Sequence, residues 1–293
     1  MTPGRAAGDG DDAGTAAARL TGRTVTHVRA LSGALAEAGL DDGRTVMVKR
    51  GRDAREVGAE AAGLRWLADA GAVAVPQVHG HDTSWLVTER VPGGRPTRES
   101  ATAFGAGLAA LHAAGAPAFG AAPPGGSEDA YIGLAPLRNV PGDSWPRWFA
   151  EQRILPYLRG SVDAGTLRRV EAAVVEEVCA RLPDLAGPAE PPARLHGDLW
   201  NGNVLWGDDH RAWLIDPAAH GGHRESDLAM LRLFGCPYLD EIVDGYQSVA
   251  PLAPGWRERV GLHQLFPLLV HTVLFGRGYG EQAIATARAV LSR

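Results

Sequence analysis

The sequence predicts an α+β chain of two lobes, in which a small antiparallel sheet with one helix precedes a larger, mainly helical part. Strand-like runs occupy residues 24–31 and 44–50, and Asp41-Asp42-Gly43 supplies turn chemistry between them. Helical spacing dominates the chain after the break at Pro92-Gly93-Gly94. We therefore place a hinge at residues 88–94.

One helix is predicted within the small lobe. Asp53 and Glu56 fit the N-cap and N3 positions, and Gly71 suits the end of the helix. Its apolar stripe has helical spacing and consists of Val57, Ala61, Leu64 and Leu67. Two more strands are predicted at residues 75–78 and 84–88.

The larger lobe is predicted to be helical except for one hairpin. The predicted helices span residues 99–113, 145–158, 164–181, 225–234, 238–249, 256–275 and 282–291. The hairpin pairs residues 204–206 with residues 212–215. We expect residues 1–18, rich in Ala, Gly and Asp, to form a flexible tail, residues 19–91 the small lobe, and residues 92–293 the larger lobe.

The composition excludes several classes of protein. The chain of 293 residues has a net charge of −5 and no Lys/Arg-rich run, which makes nucleic acid and anionic membrane poor partners. Cys179 and Cys236 lack metal-ligand spacing and give no disulfide framework. The N-terminal residues lack the apolar core of a secretory signal. We expect a cytoplasmic monomer.

The use of lysine is unusual. Lys49 is the only lysine among 29 Lys and Arg residues, and two of the three asparagines, Asn201 and Asn203, lie in one short motif. A lysine ammonium is a compact point charge that binds phosphates, and Arg does not replace it where the space is tight. Lys49 is therefore a candidate phosphate ligand.

Three residues after the predicted hinge form the strongest chemical pattern. Asp198 and Asn203 have the spacing of the kinase catalytic loop HRDxxxxN, and Asp216 follows a strand as the metal-binding Asp of kinases does. Asn203 and Asp216 supply the oxygen ligands that Mg²⁺ on ATP phosphates prefers. Asp198 can accept a proton from the substrate hydroxyl. Lys49 and Glu60 complete the set.

The loop that would cover the phosphates is poorly defined. Only Ser32-Gly33-Ala34 stands where a kinase has a glycine-rich loop, and a Walker P-loop is absent.

The motifs together resemble the fructosamine-3-kinase (ketosamine kinase) family. The resemblance rests on the run 196–203 (HGDLWNGN), Asp216-Pro217-Ala218, the run 222–230 (GHRESDLAM), Val48-Lys49, the run 60–64 (EAAGL), Val75-Pro76, Leu111-His112 and Tyr131-Ile132-Gly133. It covers nearly everything after residue 20. It implies a bilobal protein-kinase-like fold and transfer of the ATP γ-phosphoryl group to the C3 hydroxyl of a ketoamine sugar. The product would release its amine, which repairs glycation.

The resemblance also implies roles for individual residues. Asp198 would be the base, Asn203 and Asp216 would hold Mg²⁺, and Lys49 paired with Glu60 would hold the phosphates of ATP. The adenine would lie on the backbone of Thr88, Glu89, Arg90 and Val91. Trp200 would be the sugar platform, because an aromatic face complements the C–H face of a sugar ring.

The sequence leaves the acceptor open. The family commonly has Asp-Asn where this chain has Asp129-Ala130, and Gln where it has Leu137-Arg138 before Asn139. The alternatives are an aminoglycoside- or choline-type phosphotransferase and a nucleotide-binding pseudokinase. The ketoamine substrate would be a small molecule or would be attached to a protein.

Overall fold

The computed structural model describes residues 12–292, and its N-terminal part is a five-stranded antiparallel sheet between two helices. The elements are α1 (Ala13–Thr21), β1 (Val25–Ala30), β2 (Leu35–Leu40), β3 (Thr45–Arg50), α2 (Ala54–Asp69), β4 (Val78–His81) and β5 (Trp85–Glu89). The strand order is β1-β2-β3-β5-β4. Helix α1 packs on one face, where Ala38, Val46 and Val87 are buried, and α2 packs on the other face against Leu86.

The remainder is mainly helical. Its elements are α3 (Arg98–Ala113), β6 (Asp129–Ile132), β7 (Ala135–Arg138), α4 (Trp145–Trp148), α5 (Leu155–Asp163), α6 (Arg169–Leu185), β8 (Ala193–Leu195), β9 (Val204–Trp206), β10 (Ala212–Leu214), β11 (His220–Gly222), α7 (Glu225–Phe234), α8 (Leu239–Val249), α9 (Trp256–Phe275) and α10 (Arg277–Leu291). A π-helical segment, Phe149–Ile154, joins α4 to α5. Among residues 12–292, no helix is long and apolar enough to cross a bilayer.

Hydrogen bonds join the hairpin β9–β10 to the segment before β4 and to the segment after β5. The backbone N–H of Leu214 donates to the carbonyl of Ala74 (2.9 Å), and that of Gly94 donates to the carbonyl of Trp206 (2.6 Å). Helix α2 packs closely against the chain that follows the hairpin. A Cβ added at Gly63 would lie 3.2 Å from the side chain of Pro217. These contacts fix the segment after β10 against α2.

The expectation of a flexible tail over residues 1–18 is wrong for residues 13–18, which belong to α1. The side chain of Asp12 accepts the N–H of Thr15 (2.8 Å) and caps the helix. Ala16 and Ala17 are fully buried against the sheet. An alanine-rich segment has the composition of a linker, but alanine is also the strongest helix former and allows close packing. Residues 1–11 lie outside the described residues.

The strand predictions also need correction. The turn Asp41-Asp42-Gly43 joins β2 to β3, and β2 was not predicted, because its Ala and Gly residues have low strand propensity. Ala38 is buried against Ala16 and Ala17 of α1, and a Cβ at Gly39 would collide with the ring of His27 on β1. The strand predicted at residues 75–78 begins at Val78, and the hairpin β6–β7 was missed.

The close packing of α3 on α8 gives a stability prediction. A Cβ at Gly105 would collide with the carbonyl oxygen of Ile242, and a Cβ at Gly245 with that of Thr102. We expect Gly105→Ala to lower the free energy of unfolding by about 1–3 kcal/mol, because the two helices must separate. Urea unfolding followed by circular dichroism measures the change.

Gly58→Ala in α2 is the matched control, because nothing lies within 4 Å of a Cβ there. It should leave stability unchanged or raise it by up to about 1 kcal/mol through helix propensity. Equal stability of the two variants would contradict the prediction.

Candidate active site

Lys49 joins the sheet, α2 and the segment after β10. On β3, Val46 and Val48 face α1, so Lys49 faces α2, beside its cross-strand neighbour Leu86. The Nζ of Lys49 donates to Glu60 Oε1 (3.0 Å) and Oε2 (2.8 Å) and to Asp216 Oδ1 (2.9 Å). One ammonium therefore contacts two carboxylates from different parts of the chain.

In this cluster, burial and ion pairing have opposite effects on the pKa values of the charged groups. Burial disfavours the charged form of Lys49, but Glu60 and Asp216 outweigh it and raise the pKa of Lys49 above its usual value. Burial raises the pKa of Glu60, against the opposing effect of Lys49. Burial also acts against the charge of Asp216, but Lys49 prevails and lowers the pKa of that carboxyl group. Asp216 is thus the carboxylate that stays charged most readily.

The loop of residues 196–203 lies between β8 and β9 and is held by a buried carboxylate. Asp227 on α7 accepts the N–H of His196 through Oδ2 (2.8 Å) and the N–H of Gly197 through Oδ1 (3.0 Å). The ring of His196 is buried, bonds the carbonyl of Ile215 through Nε2 (2.9 Å) and accepts the N–H of Asp198 through Nδ1 (3.2 Å). Burial lowers the pKa of His196, which favours the neutral ring. His196 therefore braces the loop.

The side chain of Asn203, at the end of this loop, lies next to Asp198. The Nδ2 of Asn203 donates to the backbone carbonyl of Asp198 (2.8 Å) and to its Oδ2 (3.1 Å). Burial raises the pKa of Asp198 to about 7, although the hydrogen bond from Asn203 opposes it. A carboxylate with this pKa accepts a proton more readily than an ordinary aspartate does.

Asp216 follows β10 in an uncommon backbone conformation. Its φ is 50°, in the left-handed region that Asp tolerates better than most residues. Such conformations often mark functional positions. The next residues, Pro217 and Ala219, pack against Gly63 of α2, which sets the position of the carboxylate relative to Lys49.

One cavity of about 330 Å³ joins these groups. Six residues singled out in the sequence line it, namely Lys49, Glu60, Asp198, Trp200, Asn203 and Asp216. The cavity thus combines one ammonium, several carboxylates, an amide and an indole ring, a donor set suited to phosphates, a divalent cation and a hydroxyl substrate.

Trp200 lies at the mouth of this cavity. Its side chain is 40% exposed and contacts Phe234 edge-on, with ring centroids 6.2 Å apart. The ring covers Gly202, where a Cβ would collide with it. Gly202 therefore allows the indole to lie flat across the loop.

The predicted adenine segment lies elsewhere. Thr88, Glu89, Arg90 and Val91 do not line the cavity. Thr88 pairs with Met47 and Val78 in the sheet, and Arg90 Nε donates to Glu37 Oε1 (2.6 Å). The segment Ser32-Gly33-Ala34 forms the turn between β1 and β2 and lines a separate groove.

The structure adds cavity residues that motif spacing did not indicate. Tyr131 on β6 donates its hydroxyl hydrogen to Asp53 Oδ2 (2.9 Å), and Arg52 lies over its ring at 4.5 Å. Arg52 also donates to the carbonyl of Gly133 (3.1 Å), so the start of α2 is joined to the β6–β7 hairpin. His271 and Phe275 line the cavity from the end of α9. Tyr131 and Gly133 had a sequence signal through the family resemblance, whereas His271 and Phe275 had none.

The donor chemistry fits Mg²⁺ at Asn203 and Asp216. The amide of Asn203 uses Nδ2 toward Asp198, which leaves its oxygen as a ligand, and Asp216 contributes a carboxylate. A second cluster, His223, Glu225 and His263, is buried in the helical part. There Arg259 donates to both oxygens of Glu225 (2.9 and 2.6 Å), so this carboxylate already has a cationic partner.

Comparison with known proteins agrees with this geometry. Residues 18–293 match the fructosamine kinase family. A protein of Synechocystis named "Probable ketoamine kinase" is 38% identical over 234 residues, which cover 77% of this chain and 75% of that protein. The crystal structure of a "putative fructosamine-3-kinase" from Thermobifida fusca has a TM-score of 0.89 and 51% identity, and covers 97% of this chain and 100% of that one.

A more distant neighbour supports the fold alone. The macrolide 2'-phosphotransferase MphH from Brachybacterium faecium has a TM-score of 0.59 at 18% identity, and covers 92% of this chain and 95% of that one. The predicted bilobal, protein-kinase-like α+β fold is confirmed. The chain belongs to the fructosamine kinase family, and it is a kinase that transfers a phosphoryl group to a hydroxyl acceptor.

Proposed function

We propose that this kinase phosphorylates the C3 hydroxyl of ketoamine sugars, such as fructosamine and ribulosamine adducts, and so starts the removal of the sugar from a glycated amine. The observation that carries the proposal is the single cavity that brings Asp198, Asn203 and Asp216 together with the Lys49–Glu60 pair. Family membership supports the ketoamine substrate.

Lys49 and the two metal ligands would bind the triphosphate. In this structure the ammonium of Lys49 is held between Glu60 and Asp216, and ATP would bring phosphate oxygens to the same ammonium. Asn203 and Asp216 would hold Mg²⁺, which supplies charge neutralisation for the phosphates when it is bound. Glu60 would keep Lys49 in place.

Asp198 would act as the base of the transfer. The C3 O–H bond breaks and its proton passes to the carboxylate of Asp198, while the oxygen forms a bond to the γ-phosphorus. The bond from the γ-phosphorus to the bridging oxygen breaks, and the electron pair leaves with ADP. The raised pKa of Asp198, about 7, suits this proton transfer. The hydrogen bond from Asn203 would orient the carboxylate.

Two further positions follow from the arrangement. Trp200 would support the sugar ring, because its exposed face lines the cavity two residues from the base. The backbone of residues 88–91, at the end of β5, would bind adenine, outside the cavity that Trp200 lines. A cytoplasmic monomer remains our expectation.

The experiment that tests the function is incubation with Mg-ATP and fructose- or ribulose-modified lysine, with phosphorus NMR to locate the transferred group. We expect one new phosphate ester at C3. Aminoglycosides and choline form the comparison panel. Turnover confined to that panel, or nucleotide binding without turnover on any acceptor, would overturn the proposal.

We expect Asp198→Asn to lower turnover at least about a hundredfold while the variant still folds and binds ATP, because only the proton acceptor is removed. Coupled ADP release measures turnover, and calorimetric titration measures ATP binding.

Asp208→Asn is the matched control, since Asp208 is exposed in the turn between β9 and β10. It should retain normal turnover. A folded Asp198→Asn protein with near-normal turnover would exclude Asp198 as the base.

Asp227 is proposed to position the catalytic loop without touching substrate. Both carboxylate oxygens accept backbone N–H groups of the loop, and an amide in its place would offer only one acceptor. We expect Asp227→Asn to lower the free energy of unfolding by about 1–3 kcal/mol. We also expect kcat to fall more than KM for ATP rises, because the loop carries the base and only one of the phosphate-site residues, Asn203, while Lys49 and Asp216 lie outside it.

Steady-state kinetics and urea unfolding check this pair of effects against Asp244→Asn, a change at an exposed position of α8. If the Asp227→Asn variant had the stability and the kcat of the wild type, the loop would not depend on this carboxylate.

A further inference from the structure

Four aromatic side chains form a row along the edge of the cavity. The row consists of Trp200 from the catalytic loop, Phe234 at the end of α7, and His271 and Phe275 from the end of α9. Successive ring centroids are 6.2 Å (Trp200–Phe234), 4.9 Å (Phe234–His271) and 5.3 Å (His271–Phe275) apart. Trp200, His271 and Phe275 line the cavity that contains Asp198.

The row is unusually exposed for aromatic side chains. Trp200 is 40% exposed, Phe234 37% and Phe275 65%. Contiguous apolar side chains that remain exposed beside a polar cavity mark a binding surface more often than scattered single ones do. The row is continuous with the proposed acceptor site, so its occupant is part of the substrate or lies against it.

We propose that this aromatic row binds the amine side of the ketoamine, and that it favours amines carrying an aromatic or extended apolar group. The inference rests on the proposed function and deepens it by naming the class of amine.

The chemistry of the substrate places its amine near the row. In a ketoamine the nitrogen is attached to C1, so only C1 and C2 separate it from C3. With the C3 hydroxyl at Asp198 and the sugar on Trp200, the substituent on nitrogen leaves the cavity close to the indole. The groups of the protein at this point are Trp200 and the side chains at the end of α9.

The chemistry of the row and of the cavity suits such an occupant. The nitrogen of a ketoamine is a secondary amine and is protonated at neutral pH, and aromatic faces attract cations. Asp198, two residues from Trp200, adds a carboxylate to the same cavity. A cationic nitrogen followed by an apolar group therefore fits better than an anionic group.

His271 contributes a polar atom to the same surface. Its Nδ1 lies 2.7 Å from the carbonyl of Pro267, and burial lowers the pKa of the ring, so the neutral ring donates from Nδ1. Its Nε2 then carries a lone pair, which can accept a hydrogen bond from an N–H donor. This tautomer suits the protonated amine of the substrate.

The test compares fructose adducts that share the sugar and differ in the amine. We expect the KM of the phenethylamine adduct to be about tenfold below that of the methylamine adduct, the scale of one good aromatic contact plus burial. We expect Phe275→Ala to remove most of this difference by raising the KM of the phenethylamine adduct. Phe275 is exposed, so the substitution leaves no internal cavity.

Val273→Ala is the matched control. Val273 lies on the same turn of α9, is 43% exposed, and does not line the cavity. It should keep the wild-type difference between the two adducts. The wild-type series alone is a second measurement, independent of how any variant folds.

Three outcomes would overturn the proposal. Equal KM values for the two wild-type adducts, with normal turnover of both, would remove the amine subsite and leave the ketoamine kinase activity standing. Equal KM values together with a dimer in sedimentation that Phe275→Ala dissociates would assign the row to self-association. Absence of turnover on every ketoamine would overturn the proposed function and this subsite together.

Discussion

The site depends on one ammonium placed between two carboxylates. Lys49 comes from the sheet, Glu60 from α2 and Asp216 from the chain after β10, so their contacts hold three segments in one arrangement. Removing these charges from water has a cost, and only their mutual pairing offsets it. A lysine ammonium offers three donors around one point and can reach both carboxylates, whereas a planar guanidinium directs its donors into one plane. This accounts for a lysine at this position in a chain that otherwise uses arginine.

A chain of buried hydrogen bonds joins the catalytic loop to the packing of α3 on α8. Asp227, which accepts two N–H groups of the catalytic loop, lies 3.2 Å from His112 Nε2, and His112 Nδ1 lies 2.9 Å from the hydroxyl of Tyr246. His112 is on α3 and Tyr246 on α8, the two helices that approach closely at Gly105 and Gly245. A change in the spacing of these helices therefore shifts a buried hydrogen-bond chain that ends on the loop carrying Asp198. Since buried polar groups without partners are costly, the chain resists partial rearrangement.

The sequence predicted the catalytic cluster better than its surroundings, for physical reasons. Asp198, Asn203 and Asp216 were singled out by residue type and spacing, and the structure brings all three to one cavity. The roles proposed for them stay predictions. Helices α7 and α9 have the predicted bounds, α7 because of its apolar periodicity and α9 because it is a long apolar stretch between Gly255 and Gly276. Strand β2 and helix α1 were missed because their alanines are explained only by the packing of one element on the other, which the local sequence does not show. His271 and Phe275 had no local signal either, since their position at the cavity results from the packing of α9.

The side of the cavity proposed to take the acceptor is built differently from the Lys49 cluster. Its walls are the β6–β7 hairpin, which Arg52 and Tyr131 join to the start of α2, and the end of α9. These contacts involve partly exposed side chains, and none of them constrains the Lys49 cluster directly. The departure of this chain from the family pattern at Ala130 falls on the same wall. Under the proposed function, selection among amines would therefore vary while the transfer step is kept, because the two properties would belong to side chains on separate elements.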